Sequence, residues 1–526
     1  MMMEEKKSYK RWIGLVAVSL GVFMSLLDVT VVNVALPTIQ RSFNASFSNL
    51  QWVINAYTMV YAVVLLLMSK LGDMFGRKKI FMISMIIFTV ASGLNAISSN
   101  MEMLNVFRGL QAIGGSGMMS LSMAITASNF QGKERGAALG ILSSIIGLST
   151  AIGPLVGGYL VQAFSWRAIF TVNLPIGIVA LILTAVFVDQ GKQWPSKGKI
   201  DWLGIILSSL TVFGLILGLI NKEGHYDWSW TNFQVGGYMA LAVVALILFI
   251  IWENKNKAPM MDLAIFKKPT FTGAVIASFM LGAGLYAFYA YLTILMQNYI
   301  GYTALQTGTR QLLISGFALI LGPIAGILSS KISKKWMISI SLLIIAAGLL
   351  VMEHQITPTV TFAALWPAFI LIGIGGATVN PPMTNAALEE VEPRHLGMAS
   401  GILNVLRQFG VSFGIVFLGL RLTGGYRDSL TTNLPKLHLP QQAADGIHTA
   451  LFKGGPFAGN EILQSPRAAA FRAMPGFADL KHTVFTAFDH GFTSVLFAGA
   501  AMLIIGAIAA AILIKDSAKG TEATKQ

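Results

Sequence analysis

The sequence predicts an all-α polytopic membrane protein: two related six-helix halves with two further spans inserted between them, fourteen transmembrane helices in all. Three observations predict it. Hydrophobic residues fill 55% of the 526 positions and charged residues only 11%, against about 25% charged in a soluble domain. Apolar runs of about 20 residues, the length that crosses a bilayer, recur fourteen times. Short motifs from the start of the chain reappear, in the same order, toward its end.

The runs lie near 12–35, 50–69, 79–98, 103–127, 136–160, 167–188, 202–220, 234–252, 270–297, 304–328, 336–352, 360–381, 396–420 and 492–514. They divide the chain into a first half (1–190), an inserted pair (191–258) and a second half (259–526) that carries a long loop at 421–491. The start, MMMEEKKSYKRW, leads into a run of full membrane length with no small-residue cleavage site, which predicts a retained first span. With the N-terminus inside, the cytoplasmic tails and loops hold 24 of the 37 lysines and arginines. Short outer loops hold only Arg41, Arg167 and Lys222, and Arg108, Arg310 and Arg407 lie within spans. The net charge of +14 is therefore the positive-inside pattern, with both termini cytoplasmic, and not a nucleic-acid footprint. Cysteine is absent, which excludes disulfides and thiolate metal sites. No HExxH, P-loop or paired intramembrane carboxylates occur, so metalloenzyme and ATP-driven classes are disfavoured. A sensor would carry a sizeable cytoplasmic module, and none is present.

The repeat is carried by particular residues. SKLGDMFGRKK (69–79) joins spans 2 and 3, and GILSSKISKK (326–335) joins spans 10 and 11. Ile113-Gly114-Gly115 in span 4 matches Ile374-Gly375-Gly376 in span 12, and Gly140-Ile141-Leu142 in span 5 matches Gly401-Ile402-Leu403 in span 13, both at one offset of 261 residues. Two such halves with a site between them is the plan of alternating-access transporters.

Asp28 is the only acid deep inside one of these apolar runs. A carboxylate at that depth is costly unless paired, wet or protonated, and so marks a functional site by default. It lies about 24 Å along its helix from Trp12, in the outer third of the membrane. Arg108, in the oppositely directed span 4, lies about 9 Å below the outer face. If the two helices adjoin, the pair forms: burial favours the protonated carboxyl and Arg108 the carboxylate. A purely structural pair is the alternative. Neither charge has a counterpart in the second half. Gln111 follows one turn after Arg108 on the same face, placed either for a polar substrate group or for a helix–helix hydrogen bond.

Gly72 and Gly76 permit a tight turn between spans 2 and 3, and Asp73 and Arg77 place an acid and a base there. In span 5, Ser149, Gly153 and Gly157 form a smooth i, i+4, i+8 stripe for close packing, and Pro154 bends the helix. Asn33, Asn55 and Tyr57 are cavity candidates, and Trp52 reads as part of the interfacial aromatic belt. Arg407, with Asn404 one turn away and no acid in its helix, either meets an anionic substrate group or serves structure through backbone carbonyls. Segment 479–492 reads as helical, leading into span 14. The long loop either caps the outer mouth or is passive.

LDVTVVNVALP (27–37), SKLGDMFGRKK (69–79), RGLQAIGG (108–115), GPLVGG (153–158), SWRAIFTVNLPIG (165–177), KIDWLGIIL (199–207) and PMMDLAIFKKPTF (259–271) resemble the signatures of the major facilitator superfamily, and most nearly its fourteen-span drug:proton antiporter branch, the QacA/EmrB type. The resemblance runs from about residue 12 to 420. It implies a bacterial cell-membrane exporter of hydrophobic, cationic drugs, working as a monomer on the proton gradient with no cofactor. It implies Asp28 and Arg108 as the coupling pair, with Asn33, Tyr57, Gln111, Asn404 and Arg407 at the cavity. Asp73, Gly76, Arg77, Gly153, Pro154 and Gly157 become gate residues. Export of a metabolite or an anionic compound is the alternative within transporters.

Overall fold

The computed structural model describes residues 2–43, 47–189, 201–225, 227–256, 259, 261–357, 360–389, 391–392, 396–437, 446–452, 455–456, 463, 472 and 476–515. Among them stand fourteen long helices. The first half comprises α1 (Met2–Phe43), α2 (Phe47–Phe75), α3 (Arg77–Ala96), α4 (Met101–Asn129), α5 (Gly132–Ala163) and α6 (Ala168–Phe187). The inserted pair is α7 (Trp202–Gly224) and α8 (Phe233–Lys255). The second half comprises α9 (Pro269–Tyr299), α10 (Ala304–Leu328), α11 (Lys334–Gln355), α12 (Phe362–Glu389), α13 (Leu396–Asn433) and α14 (Phe477–Leu513). Twelve of these qualify as membrane spans by length and hydropathy among the described residues. The other two are α4 and α5. In α4 the cause is visible: glycines, serines, Arg108 and Gln111 dilute its hydropathy, and the run Gly114–Ala127 is buried throughout. A helix hidden from lipid on all sides needs no apolar coat, because its backbone is already satisfied internally.

Local sequence starts several helices. Asn100 accepts from the Met103 N–H at 2.9 Å to open α4. Asp201 accepts from Gly204 at 2.9 Å to open α7, and Thr303 with Gln306 forms a capping box on α10. Gly76 takes φ 100° between α2 and α3, a left-handed conformation that any side chain would strain.

The repeat dictates how the halves meet. The α5 helix packs along α10, the second-half counterpart of α2; reciprocally, α2 packs against α13, the counterpart of α5. The α7–α8 pair sits outside this core, against α2 and α13. Much of α8 is exposed, including Val243, Val244, Ile247 and Ile251, as a lipid-facing helix requires.

The N-terminal part of α1 touches the end of α6, where Gly14 lies against Phe187, and the end of α14 meets the start of α9, where the Lys515 N–H donates to Thr270 Oγ1 at 3.2 Å. We call this terminus-bearing end basal and the other apical. At the base the halves are closed. A Cβ on Gly136 would lie 2.1 Å from Gly326 O, and one on Gly326 1.9 Å from Gly136 O. Only glycine permits two helix backbones to approach so closely.

The structure shortens the expected long loop. The helix α13 does not stop near residue 420 but runs to Asn433, and α14 begins at Phe477. Leu422, Tyr426 and Leu430 on one, and Val484, Phe488 and Phe492 on the other, are all fully buried. Their i, i+4 spacing zips the two extensions together above the apolar belt.

Candidate functional site

Asp28 and Arg108 meet inside the first half. They are 2% and 1% exposed, and Arg108 Nη1 donates to Asp28 Oδ2. Gln111 Nε2 donates to Asp28 Oδ1 at 2.9 Å, and Asn173 Nδ2 from α6 to the same oxygen at 3.2 Å. The remaining groups close the set. Arg108 also donates to Gln111 Oε1 at 2.8 Å and, through Nε, to Val53 O at 3.2 Å. Gln111 and Asn173 both donate to Ser92 Oγ, at 2.7 and 3.3 Å, and Asn95 donates to Gln111 Oε1 at 2.9 Å. A buried ion pair is tolerable when its remaining donors and acceptors are satisfied, and here every amide hydrogen of Gln111 has an acceptor. Gln111 is thus a helix–helix bond within the network.

Tyr57 lies beneath this pair. The guanidinium of Arg108 is 4.3 Å from the Tyr57 ring centroid, a cation–π distance. The Tyr57 hydroxyl is 3.3 Å from Ser25 Oγ, and the ring stacks on Tyr61 with centroids 5.8 Å apart. Trp52, at the apical end of α2, is exposed, as the belt reading expects. The side chains of Asn33, Asn55 and Pro154 lie outside the described residues.

The glycine stripe of α5 packs on α1 just beyond Asp28. A Cβ on Gly153 would lie 1.8 Å from Thr30 Oγ1, and one on Gly157 3.1 Å from Val31. This stripe therefore fixes the helix that carries the carboxylate.

At the base, Asp73 connects the halves. Its Oδ1 accepts from Arg77 Nε at 2.9 Å and its Oδ2 from the Met398 N–H at 2.8 Å, in the first turn of α13. Carboxylates are favoured there by the unsatisfied amides and the helix dipole. Nearby, Lys70 donates to Pro259 O at 2.8 Å and Glu253 accepts from the Met261 N–H at 3.1 Å. Asp201 accepts from Trp252 Nε1 at 2.8 Å and Asn256 Nδ2 at 2.6 Å. The inserted pair is thereby tied to α2 one turn from Asp73.

The second half holds its intramembrane cations differently. Arg407 is buried and donates to Asn404 Oδ1, a side chain of its own helix and not a backbone carbonyl. Asn404 donates to Ser400 O at 3.0 Å. Arg310 covers Tyr302 at 4.0 Å. Asp28 is not the only enclosed carboxylate: Asp201 and Glu253 are buried at the base, and Asp489 Oδ2 is enclosed in the apical extension of α14 without a hydrogen-bond partner. The sequence reading placed Asp489 in a helical segment outside the spans and did not single it out as a buried carboxylate, and it missed Asn173, Ser92 and Asn95. Asn173 was legible as the one amide opening an otherwise apolar span.

Two six-helix halves related by a repeat, with a buried charge pair in one and a closed base between them, define a membrane transporter and not an enzyme. The Major Facilitator Superfamily profile matches residues 18–415, and the chain belongs to that family. It is 33% identical over 445 residues to the multidrug transporter protein MdtP of Bacillus subtilis, covering 84% of this chain and 81% of the relative. It is 30% identical over 431 residues to the tetracenomycin C resistance and export protein of Streptomyces glaucescens, covering 82% and 79%. The fold is similar to that of the proton:xylose symporter XylE, with TM-score 0.60 at 12% identity and 95% of both chains covered.

Proposed function

We propose that this chain exports lipophilic compounds, organic cations among them, across a bacterial cell membrane in exchange for protons, as a monomer and with no cofactor. The fourteen helices are read as fourteen spans with both termini, and hence the base, on the cytoplasmic side. The observation that carries the reading is the buried Asp28–Arg108 pair, held by Gln111 and Asn173. Support for the export of drugs comes from the two bacterial relatives, whose names are those of drug exporters.

The chemistry follows from the site. A proton on Asp28 cancels the charge that holds Arg108. The guanidinium then keeps Val53 O and Gln111 Oε1 as acceptors and loses its strongest one, because bonds to an ionised partner are about twice as strong as neutral ones. The neutral α1 is free to shift against the glycine face of α5. Asp73, Gly76, Arg77, Gly153, Pro154 and Gly157 serve the rocking of the halves, with Asp73 holding the base shut. Tyr57, Gln111, Asn404 and Arg407 face or support the substrate route.

The test is ethidium efflux from proteoliposomes under an imposed pH gradient. Wild type is expected to move dye against its gradient only while protons flow the other way. Asp28→Asn is expected to abolish this coupling and leave the protein folded. Coupled efflux by that variant at the wild-type rate and pH dependence would refute the proton role of Asp28.

A further inference from the structure

We propose that Arg407 on α13 and the Tyr61 hydroxyl on α2, helices packed in a register that sets Gly397 against Asp73 and Gly401 against Leu66 and Ser69, form a recognition site for an anionic group of the transported compound: a carboxylate, phenolate or sulfonate on a lipophilic body. The proposal deepens the export reading and rests on it for the word transported; the binding claim stands on its own geometry.

Four observations meet there. Arg407 is 5% exposed and offers five N–H donors, yet its bond among the described residues is to Asn404 Oδ1. None of the described ion pairs includes it. Tyr61 on α2, also 5% exposed, has a buried hydroxyl with no hydrogen bond of ordinary geometry among the described residues; the Gln408 side chain is the nearest polar group to it. A buried guanidinium with a single side-chain acceptor among the described residues and a buried hydroxyl thus stand on packed helices of opposite halves. In the first half, by contrast, Asp28 and Arg108 cancel one another, whereas Arg407 has no carboxylate partner among the described ion pairs. Buried donors of this kind are ordinarily satisfied.

The surroundings select the ligand. A guanidinium fork binds planar oxyanions through two parallel bonds. Asn404 is a positioning residue: its Nδ2 is held by Ser400 O, which turns its oxygen toward Arg407 and orients the fork. The stacked Tyr57–Tyr61 pair makes the α2 side of the site aromatic, which suits an aromatic body once the halves part. A ligand held there bridges α2 and α13, the two helices whose separation opens the base, so its presence is felt by both halves.

The test uses purified full-length protein and isothermal titration with two probes of one shape, 2-naphthoate and neutral 2-naphthamide. Wild type is expected to prefer the anion by about tenfold or more, the range for a hydrogen bond to a charged group. Arg407→Gln is expected to erase the preference, Arg407→Lys to keep part of it, and Tyr61→Phe to weaken the anion several-fold while leaving the amide unchanged. Thermal unfolding of each variant in detergent should stay close to that of wild type, which shows that the variants fold. No preference in wild type, or a preference that survives Arg407→Gln, overturns the proposal. So does equal loss of both probes and of thermal stability in the glutamine and lysine variants, which would make Arg407 structural. Failure of the export reading looks different: no ethidium efflux by wild type, with the Arg407-dependent preference for naphthoate intact.

Discussion

Asp28 and Arg407 are buried charges in opposite halves, and their surroundings differ. Asp28 receives three donors from α4 and α6. Arg407 has one acceptor, an amide of its own helix. The halves share a fold through their repeat, so scaffold geometry alone cannot account for the difference. It teaches that the first half carries a charge network whose pair is held by its own helices. The second half carries a donor set completed only by something else. The same asymmetry appears at the base. There α2 meets α13 through a carboxylate, and α5 meets α10 through bare glycine backbone.

The strongest way to break this comparison is to remove each cation. Arg108→Leu should destabilise the protein by about 3–5 kcal/mol, because it strands a buried carboxylate. Arg407→Leu should leave the unliganded protein as stable or more stable, since it removes an uncompensated charge. Thermal unfolding in detergent reads both, and equal losses would show that the halves hold their charges alike.

The basal contacts come next. Gly326→Leu pushes a side chain into the Gly136 carbonyl and should cost about 1–3 kcal/mol as overpacking, with the base forced open. Because the chain has no cysteine, a pair introduced at Ser144 and Ala318 can report the closure by crosslinking yield, which the leucine should lower. Asp73→Asn keeps the shape but weakens the bond to Met398. A loss of about 1 kcal/mol is expected, the scale of a helix cap, with a smaller fall in yield for cysteines placed on α2 and α13.

The smallest effect lies outside the spans. Arg427 on the α13 extension pairs with Asp227 between α7 and α8 at 2.5 Å. The hydrogen bond from Arg427 holds the Asp227 carboxyl below its usual value. A carboxyl lowered by folding adds stability above its unfolded value, near 3.9, and loses it as pH falls through the folded one. Asp227 is largely exposed, so screening should limit the effect to a few tenths of a kcal/mol. Unfolding of Asp227→Asn and wild type should differ slightly at neutral pH and converge at strongly acidic pH.

Much of this was legible in the chain. The long apolar helices, Asp28 as an anomaly and Arg108 at matching depth follow from hydropathy, charge placement and helical rise. Asn173, Ser92 and Asn95 were harder to find, because a single amide or hydroxyl in an apolar span has no periodic signature and gains meaning only from its partners. The helical extensions of α13 and α14 were partly hidden for a related reason: their polar faces read as loop until the buried ridges Leu422–Tyr426–Leu430 and Val484–Phe488–Phe492 are seen together.

The sequence by itself determined that the chain is a helical bundle in a membrane and which carboxylate is out of place. Those properties depend on one-dimensional quantities: run length, spacing and the sign of flanking charge. Tertiary structure decided which side chains share a site. It set Gln111 and Asn173 on Asp28, Asp73 on the first turn of α13, and Arg407 beside a hydroxyl with no acceptor. Hydrogen bonds and ion pairs are short-ranged, so their partners are chosen by how helices distant in sequence pack, and no single helix encodes that.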